Sequence, residues 1–422
     1  MKSQRLLYIL GLLEDDLLAE AEDSMPAYRP GRSTGLKWLS AAACLLVAVG
    51  IAFWYRGVAP APVPPPPVSE SSSPGGVSPL PMLTVDTEWG GAMGFEGYMA
   101  NDISDLVNAN PWKEGAELAT LPVFRNVNAY HKGGDVQEPN LEVMEQTLLE
   151  AARSLGMDTE RLEVTNDLPD EKRLKQITEK YAAVGEEVPP EVLKIGRLFL
   201  QDDRYKLEVN AECTVKLEFV PTLQLPQGHF FGFYSSYDEL LPIAGYLQKE
   251  YQSFINLNKP VLNLSGGDYS LTDPPQQGYS VRFFEGEGSL ADQIVSYNLQ
   301  GVSFSGDDDG RLWLARRYHT DLSQKLGDYP IITAEKARQL LAEGHYITTV
   351  PEDFPGAQYI RKTELIYRTG AVKAFMPYYR IYVEMPTMVV RGHELKTYGA
   401  YYVPAVEERY LTNMPLWDGS FN

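Results

Sequence analysis

The feature that most constrains this chain is an uncharged, mostly apolar run of eighteen residues from Trp38 to Tyr55. A helix needs about 20 apolar residues to cross the hydrocarbon core of a bilayer. Leu36 and the aliphatic stem of Lys37 extend the run, so that residues 36–56 are long enough for one transmembrane helix. Aromatic residues at both ends suit the two membrane interfaces. We therefore expect the chain to bind a lipid bilayer through Trp38–Tyr55.

The charges around this run predict its orientation. Only Arg56 follows the run before Lys113, whereas five basic residues precede it: Lys2, Arg5, Arg29, Arg32 and Lys37. The positive-inside rule then places the N-terminus in the cytoplasm and the C-terminal part outside, in a single-pass bacterial cell-membrane protein. Residues 57–81 are rich in proline and serine, and such a segment is an extended, partly flexible tether.

Three other interpretations of the run stay open. A cleaved secretory signal would begin nearer to residue 1, but VAPAPV after the run could be cut by a signal peptidase. The sequence AAAC at Ala41–Cys44 resembles a lipoprotein acylation site, although it lies at the start of the run. A buried core helix is disfavoured by the proline-rich segment that follows. The flanking sequences favour an uncleaved signal anchor.

The acidity of the chain lies beyond the apolar run. Residues 1–56 contain six basic and six acidic side chains, so the formal net charge of −20 belongs to residues 57–422. Such a domain repels phosphate backbones, which excludes nucleic acid as an expected partner. The two cysteines, Cys44 in the run and Cys213 in a strand-like segment, cannot meet. A displayed domain without an internal disulfide favours a bacterium that makes little use of such bonds.

Hydrophobic periodicity predicts an α+β fold with antiparallel sheets and packed helices. We expect two extracytoplasmic lobes, an α+β lobe over residues 82–258 and a β-rich lobe over residues 259–422. Four helices are predicted, at Asn140–Leu155, Glu171–Ala183, Tyr237–Ile255 and Thr333–Gly344. The predicted strands or hairpins are YKLEVNAECTVKLEFV, the two strands around GDDDG, and the late segments AQYIRKTELIYR, PYYRIYVEM and LKTYGAYYVPAV.

The head, residues 1–35, reads as an amphipathic helix with an acidic face. Its apolar face is a candidate docking surface for a cytoplasmic regulator and contains Leu6, Leu10, Leu13 and Leu17. A short cytosolic helix without a partner is the alternative interpretation. The acidic face disfavours binding to anionic lipid.

The stretch Ile331–Met385 contains IITAEKARQLLAEG as a helix, followed by the strand segments YIRKTELIYR and PYYRIYVEM. In this arrangement it resembles the PepSY-like unit in extracytoplasmic regions of Gram-positive regulators. It is also similar to YycI-type accessory proteins, which have one membrane span and modulate a sensor kinase. The resemblance implies a PepSY/YycI-like C-terminal lobe with a regulatory or binding role, and it transfers no catalytic residue.

Tyrosines are concentrated on the last predicted strands. We take Tyr367, Tyr378, Arg380, Tyr382 and Tyr401 as a candidate surface for a protein partner or for a peptide or glycan ligand. The alternative is cross-strand aromatic packing that stabilises the sheet. Side chains alternate along a strand, so neighbouring tyrosines in PYYR must lie on opposite faces.

No catalytic motif is present, and we expect no cofactor, no metal site and no enzyme activity. The leading hypothesis is a regulatory or binding protein that modulates a sensor kinase or sigma-factor pathway. The alternative is a tethered cell-envelope hydrolase, for which Glu285 with Glu287, or Asp238 with Glu239, could supply the acid and base. A passive assembly or wall-spacing protein is the third interpretation.

Overall fold

The structure is a computed structural model that describes residues 79–87, 97–127, 139–272, 274–350, 353–369 and 372–419. The predicted docking face of Leu6, Leu10, Leu13 and Leu17, the run Trp38–Tyr55 and the tether up to residue 78 lie outside these ranges. Within them, no helix has both the length and the apolarity that crossing a membrane requires.

The chain divides into two compact units. One comprises residues 1–77 and 173–188, of which the structure describes only 173–188, most of one polar helix. The other comprises residues 78–172 and 189–422 and contains every strand that the structure describes. This second unit has the α+β fold that the sequence predicts, with antiparallel sheets.

Four of the six described α-helices begin at a capping side chain. The α-helices of the described residues are α1 (Leu141–Ser154), α2 (Glu171–Val184), α3 (Tyr237–Glu250), α4 (Gln252–Ile255), α5 (Leu290–Leu299) and α6 (Ala334–Ala342). Asn140, Ser236, Ser289 and Thr333 each accept a hydrogen bond from the backbone amide three residues later. The helices predicted at 140–155, 171–183 and 333–344 are confirmed, whereas the one predicted at 237–255 is interrupted at Tyr251. Helix α5 is absent from the sequence-based prediction.

Strands supply most of the remaining regular structure. They are β1 (Gly97–Ala100), β2 (Thr120–Arg125), β3 (Thr165–Asn166), β4 (Arg197–Gln201), β5 (Tyr205–Asn210), β6 (Val215–Leu223), β7 (Pro260–Tyr269), β8 (Gln277–Glu285), β9 (Gln300–Gly306), β10 (Leu312–His319), β11 (Lys325–Pro330), β12 (Ile347–Thr348), β13 (Ile360–Tyr367), β14 (Ala374–Phe375), β15 (Pro377–Val390) and β16 (His393–Pro404). Short 3-10 helices lie at Ile103–Asp105, Pro190–Leu193, Ala357–Tyr359 and Glu408–Tyr410.

The largest sheet has eight strands in the order β3-β4-β5-β6-β10-β9-β8-β7. Its inner face packs on α1, α3 and α4 to form the first core, with residues such as Leu217, Phe283 and Phe304. The hairpin predicted around GDDDG is confirmed as β9–β10. The alternating segment from Tyr205 is also a hairpin, β5–β6, and Cys213 lies in its turn at a φ of 57°. A strand position for Cys213 is therefore wrong.

A second sheet carries the aromatic strands in the order β1-β16-β15-β13, with β12 paired to β16. Both of its faces are buried, one in a core with Tyr379 and Tyr401 and the other in a core with Tyr378 and Tyr402. The expectation that adjacent tyrosines lie on opposite faces is confirmed by this division. A third sheet, β11-β2-β14, completes the unit.

The predicted division between two lobes at residue 258 does not coincide with the sheets. Strands β3–β6 precede that residue and β7–β10 follow it, yet all eight belong to one sheet. Strand β2 likewise pairs with β11 and β14, which lie far along the chain. Hydrogen bonds between such distant strands leave no signal in local periodicity, which explains the difference.

The first and last described segments of this unit lie side by side. Leu83 donates its amide to the carbonyl of Tyr410 and accepts from the amide of Thr412, both at 2.8 Å. The side-chain amide of Asn413 forms two hydrogen bonds with the backbone of Val85. Its Oδ1 accepts from the Val85 N–H, and its Nδ2 donates to the Val85 carbonyl. The segment around residues 83–85 is therefore held by hydrogen bonds to residues 410–413.

One glycine in β7 is expected to tolerate no side chain. Gly267 has a φ of 99°, and a Cβ built there would lie 1.9 Å from the carbonyl oxygen of Asp105. We expect Gly267→Ala to lower the free energy of unfolding by at least about 2 kcal/mol, because strain adds to a backbone clash. Gly245→Ala in α3 is the matched control, since nothing lies within 4 Å of its Cβ. Urea unfolding of both variants measures the difference, and equal losses would contradict the prediction.

Candidate functional site

The tyrosines predicted to form a binding surface are buried in the structure. Tyr367, Tyr378, Tyr382 and Tyr401 are each at most 4% exposed, and they belong to three different packed clusters. The candidate surface is therefore wrong as an accessible groove. The physical reason is that helices and other strands cover both faces of their sheet, so outward-facing tyrosines also become core residues.

Arg380, the cation of that predicted surface, is engaged inside the protein. Its Nε and Nη2 donate to one carboxylate oxygen, Oε2 of Glu364, at 3.2 and 2.7 Å. The other oxygen accepts from the Nζ of Lys362 at 2.8 Å and from the Nδ2 of Asn108 at 2.7 Å. Burial opposes ionisation of Glu364, but Arg380 and Lys362 outweigh it and hold the pKa of its carboxyl at about 2. This network is a structural ion-pair cluster.

The acid pairs considered for hydrolysis also have structural roles. Glu285 accepts backbone amides of Asn258 and Lys259, at 2.7 and 2.9 Å. Glu287 accepts from the side chain of the same Asn258 at 2.9 Å. Glu239 forms a capping box with Ser236 at the start of α3, and hydrogen bonds from Ser236 lower its pKa. Asp238 is in the first turn of the same helix.

The described residues line an open cleft of about 420 Å³ on the outer face of the eight-stranded sheet. Its floor contains Ser280 and Arg282 of β8, Ser303 of β9 and Tyr318 of β10. These residues alternate with first-core residues along their strands, which places them on the face opposite to that core.

The walls of the cleft come from turns and from the ends of other elements. They are formed by Asn126, Glu212, Thr214, Asn298, Leu299, Thr320, Asp321, Thr369 and Phe375. Many of these side chains carry hydroxyl or amide groups, two carboxylates and one guanidinium carry the charges, and carbon atoms supply the larger part of the lining surface. A cavity of this size and composition suits a small polar ligand.

Arg282 is the most unusual residue of the cleft. Its Nη2 donates to the carbonyl of Gln300 at 2.8 Å, whereas its buried Nε has no hydrogen-bond partner. Among the described residues no carboxylate forms an ion pair with it, and burial lowers the pKa of its guanidinium. A buried charge is normally paired, so an uncompensated one that lines a cavity marks a candidate binding site.

A glycine makes room for this guanidinium. Gly301 has a φ of 144°, and a Cβ there would lie 3.0 Å from the Nε of Arg282 and 2.5 Å from the carbonyl oxygen of Phe283. The backbone of β9 can therefore approach the arginine closely only because residue 301 has no side chain. The local sequence thus fixes the position of the charge at the floor of the cleft.

The two carboxylates of the cleft are separate from Arg282. Glu212 lies exposed in the β5–β6 turn, and partial desolvation of its carboxyl raises its pKa. Asp321 follows β10 and accepts the backbone amide of Ser323 at 2.8 Å. The cleft therefore contains one cation and two acids that do not neutralise one another.

A further exposed feature is the loop before α3. Phe230 and Phe233 are 55% and 68% exposed, and Tyr234 packs edge-on against Phe233. The stretch from Pro221 to Tyr237 contains no charged Asp, Glu, Lys or Arg. It is absent from the sequence-based predictions, although a charge-free aromatic run in an acidic domain is a usable signal.

No protein-family model matches the chain, and no curated protein is significantly similar to it. Within the described ranges there is also no group of three or more His, Cys, Asp or Glu side chains that could hold a metal ion.

Proposed function

We propose that the chain is a membrane-anchored binding protein whose outer domain takes up a small polar ligand in this cleft and thereby regulates a partner. The membrane anchor, the extracytoplasmic location and the partner follow from the sequence pattern alone. The observation that carries the proposal is the unpaired, largely buried Arg282 at the floor of a 420 Å³ cavity. The PepSY/YycI resemblance agrees with a regulatory role and adds the expectation of a sensor kinase or sigma-factor pathway as the target.

A variant whose cleft is filled by a bulky side chain tests whether the cleft binds a ligand. Purified full-length chain in detergent is dialysed against the low-mass fraction of a bacterial culture supernatant, and retained compounds are identified by mass spectrometry. We expect the wild type to retain at least one compound that Ser303→Phe does not, because a phenyl ring on the floor fills the space. Ser305→Phe is the matched control, since Ser305 is on the same strand but does not line the cleft. Identical compounds for the wild type and Ser303→Phe would refute ligand binding in the cleft.

The second candidate is a tethered hydrolase, and one observation favours it. Glu212 and Asp321 both line the cleft, and two carboxyl groups in one cleft can supply a general acid and a general base. Incubation of the full chain with peptidoglycan decides between the two candidates. Release of soluble fragments by the wild type, but not by Glu212→Gln, would favour the hydrolase.

A further inference from the structure

We infer that the cleft binds a zwitterion, namely a short peptide whose terminal carboxylate pairs with Arg282 and whose ammonium group pairs with Glu212. This inference rests on the proposed binding function and specifies its ligand. It begins from the two uncompensated charges of opposite sign that line one cavity, Arg282 on the floor and Glu212 on the wall.

The arginine supplies the anion-binding half. A guanidinium presents several N–H donors in a planar fork that matches the two oxygens of a carboxylate. For Arg282 the protein uses only the bond from Nη2 to the Gln300 carbonyl. Comparison with Arg380 makes the contrast clear, because that buried arginine binds the Glu364 carboxylate through two nitrogens. Arg282 has the same chemistry without an internal acid.

The acidic wall supplies the cation-binding half. Glu212 lines the same cleft as Arg282 and forms no ion pair with a described Lys or Arg side chain. An ammonium group of the ligand would provide the positive charge, and Asp321 adds a second acid on the same wall. A simple anion would satisfy Arg282 alone and would be repelled by these acids.

The remaining lining suits the peptide between the two termini. Serine and threonine hydroxyls and the amides of Asn126 and Asn298 can exchange hydrogen bonds with backbone amide groups. Leu299 and Phe375, together with the aliphatic parts of other lining side chains, provide apolar surface for the side chains of the peptide. The volume of about 420 Å³ is in the usual range for ligand sites and fits a peptide of a few residues.

The test uses trialanine as the probe and isothermal titration calorimetry of the full chain in detergent. We expect saturable binding of trialanine that weakens at least tenfold for trialanine amide and for the Arg282→Met variant. N-acetyl-trialanine should also bind more weakly, and Glu212→Gln should lose affinity for trialanine but not for the acetylated peptide. Arg282→Lys, which keeps the charge without the planar fork, should fall between the wild type and Arg282→Met.

Two controls separate this site from general attraction and from misfolding. Arg316→Met removes an arginine of β10 that is opposite Ser303 but outside the cleft, and it should leave trialanine binding unchanged. The thermal midpoint of Arg282→Met should stay within about 4 °C of the wild type, because no internal carboxylate loses its partner. A loss of affinity in Arg316→Met as large as in Arg282→Met would overturn the inference.

Other outcomes also decide the question. Inorganic phosphate that binds as tightly as trialanine would indicate a simple anion site and refute a zwitterionic ligand. Failure of every peptide probe would refute the inference as well. If the dialysed compound sensitive to Ser303→Phe still appears in that case, the binding function stands and only the ligand class is wrong.

Discussion

Replacing Glu364 with Gln is expected to lower the free energy of unfolding by about 3 kcal/mol at neutral pH. The carboxylate is 3% exposed and binds Arg380, Lys362 and Asn108, so the substitution leaves a buried guanidinium without its counter-charge. The expected loss of about 3 kcal/mol follows from the pKa of Glu364, which is about 2 in the folded protein against a usual value of 4.5. Each pKa unit corresponds to about 1.4 kcal/mol. Urea unfolding at pH 7 measures this loss.

The same residue predicts how the difference depends on pH. Because the pKa of Glu364 is lowered in the folded state, its contribution is complete above pH 4.5 and is lost as pH falls towards about 2. The wild type and Glu364→Gln should therefore converge in stability over this interval. A gap that stays constant down to pH 2 would contradict the assignment of the low pKa to Glu364.

A solvent-facing ion pair provides the control for both measurements. Glu218 contacts Lys216 and Lys206 on the eight-stranded sheet with about a quarter of its side chain exposed. Exposed or partly exposed pairs contribute at most about 1 kcal/mol. Glu218→Gln should therefore cost much less than Glu364→Gln. If Glu218→Gln and Glu364→Gln lowered the free energy of unfolding equally, the burial of Glu364 would not be the cause of its loss.

Truncation of Tyr401 to Ala is expected to destabilise the fold by about 3–5 kcal/mol. Its ring is fully buried and packs against Tyr346 and Phe354, with ring centroids 5.1 and 5.8 Å away. The substitution removes these contacts and leaves a cavity in the second core. Chemical unfolding followed by tryptophan fluorescence checks the loss, with Trp112 and Trp417 in or against the same core.

The exposed ring of Phe233 is the matched control for Tyr401. At 68% exposure it leaves little buried area to lose, and we expect Phe233→Ala to change stability by less than about 1 kcal/mol. A Tyr401→Ala variant as stable as the wild type would contradict the burial of Tyr401 in the second core. A large loss for Phe233→Ala would show that the loop before α3 packs more tightly than its exposure indicates.

Local elements of the fold were predictable because their signals are local. Asn140 and Thr333 are capping residues that begin helices, and the apolar spacing after each of them continues to the observed end. The alternation of polar and apolar residues from Tyr205 likewise indicated strands. A single long strand and a hairpin both agreed with this alternation, because Asn210 is the only typical turn residue near Cys213.

The tertiary arrangement and the cleft were not predictable from such signals. Tyrosine suits a half-exposed sheet and a packed core equally well, so the burial of Tyr378 and Tyr382 depends on what covers the sheet. Arg282 lies in SVRFF, which reads as an ordinary strand with one outward charge. The lack of a counter-charge for Arg282 is a property of the folded protein, in which β9, the end of α5 and the β5–β6 turn lie around it.

The side-by-side placement of the first and last described segments has a mechanical consequence. Tension applied through the chain ahead of residue 79 reaches Leu83 and Val85, whose hydrogen bonds go to Tyr410, Thr412 and Asn413. Residues 410–413 therefore resist separation of the segment that contains Leu83 and Val85. Deleting them would remove these hydrogen bonds, and under such tension the domain would unfold first from its N-terminal segment.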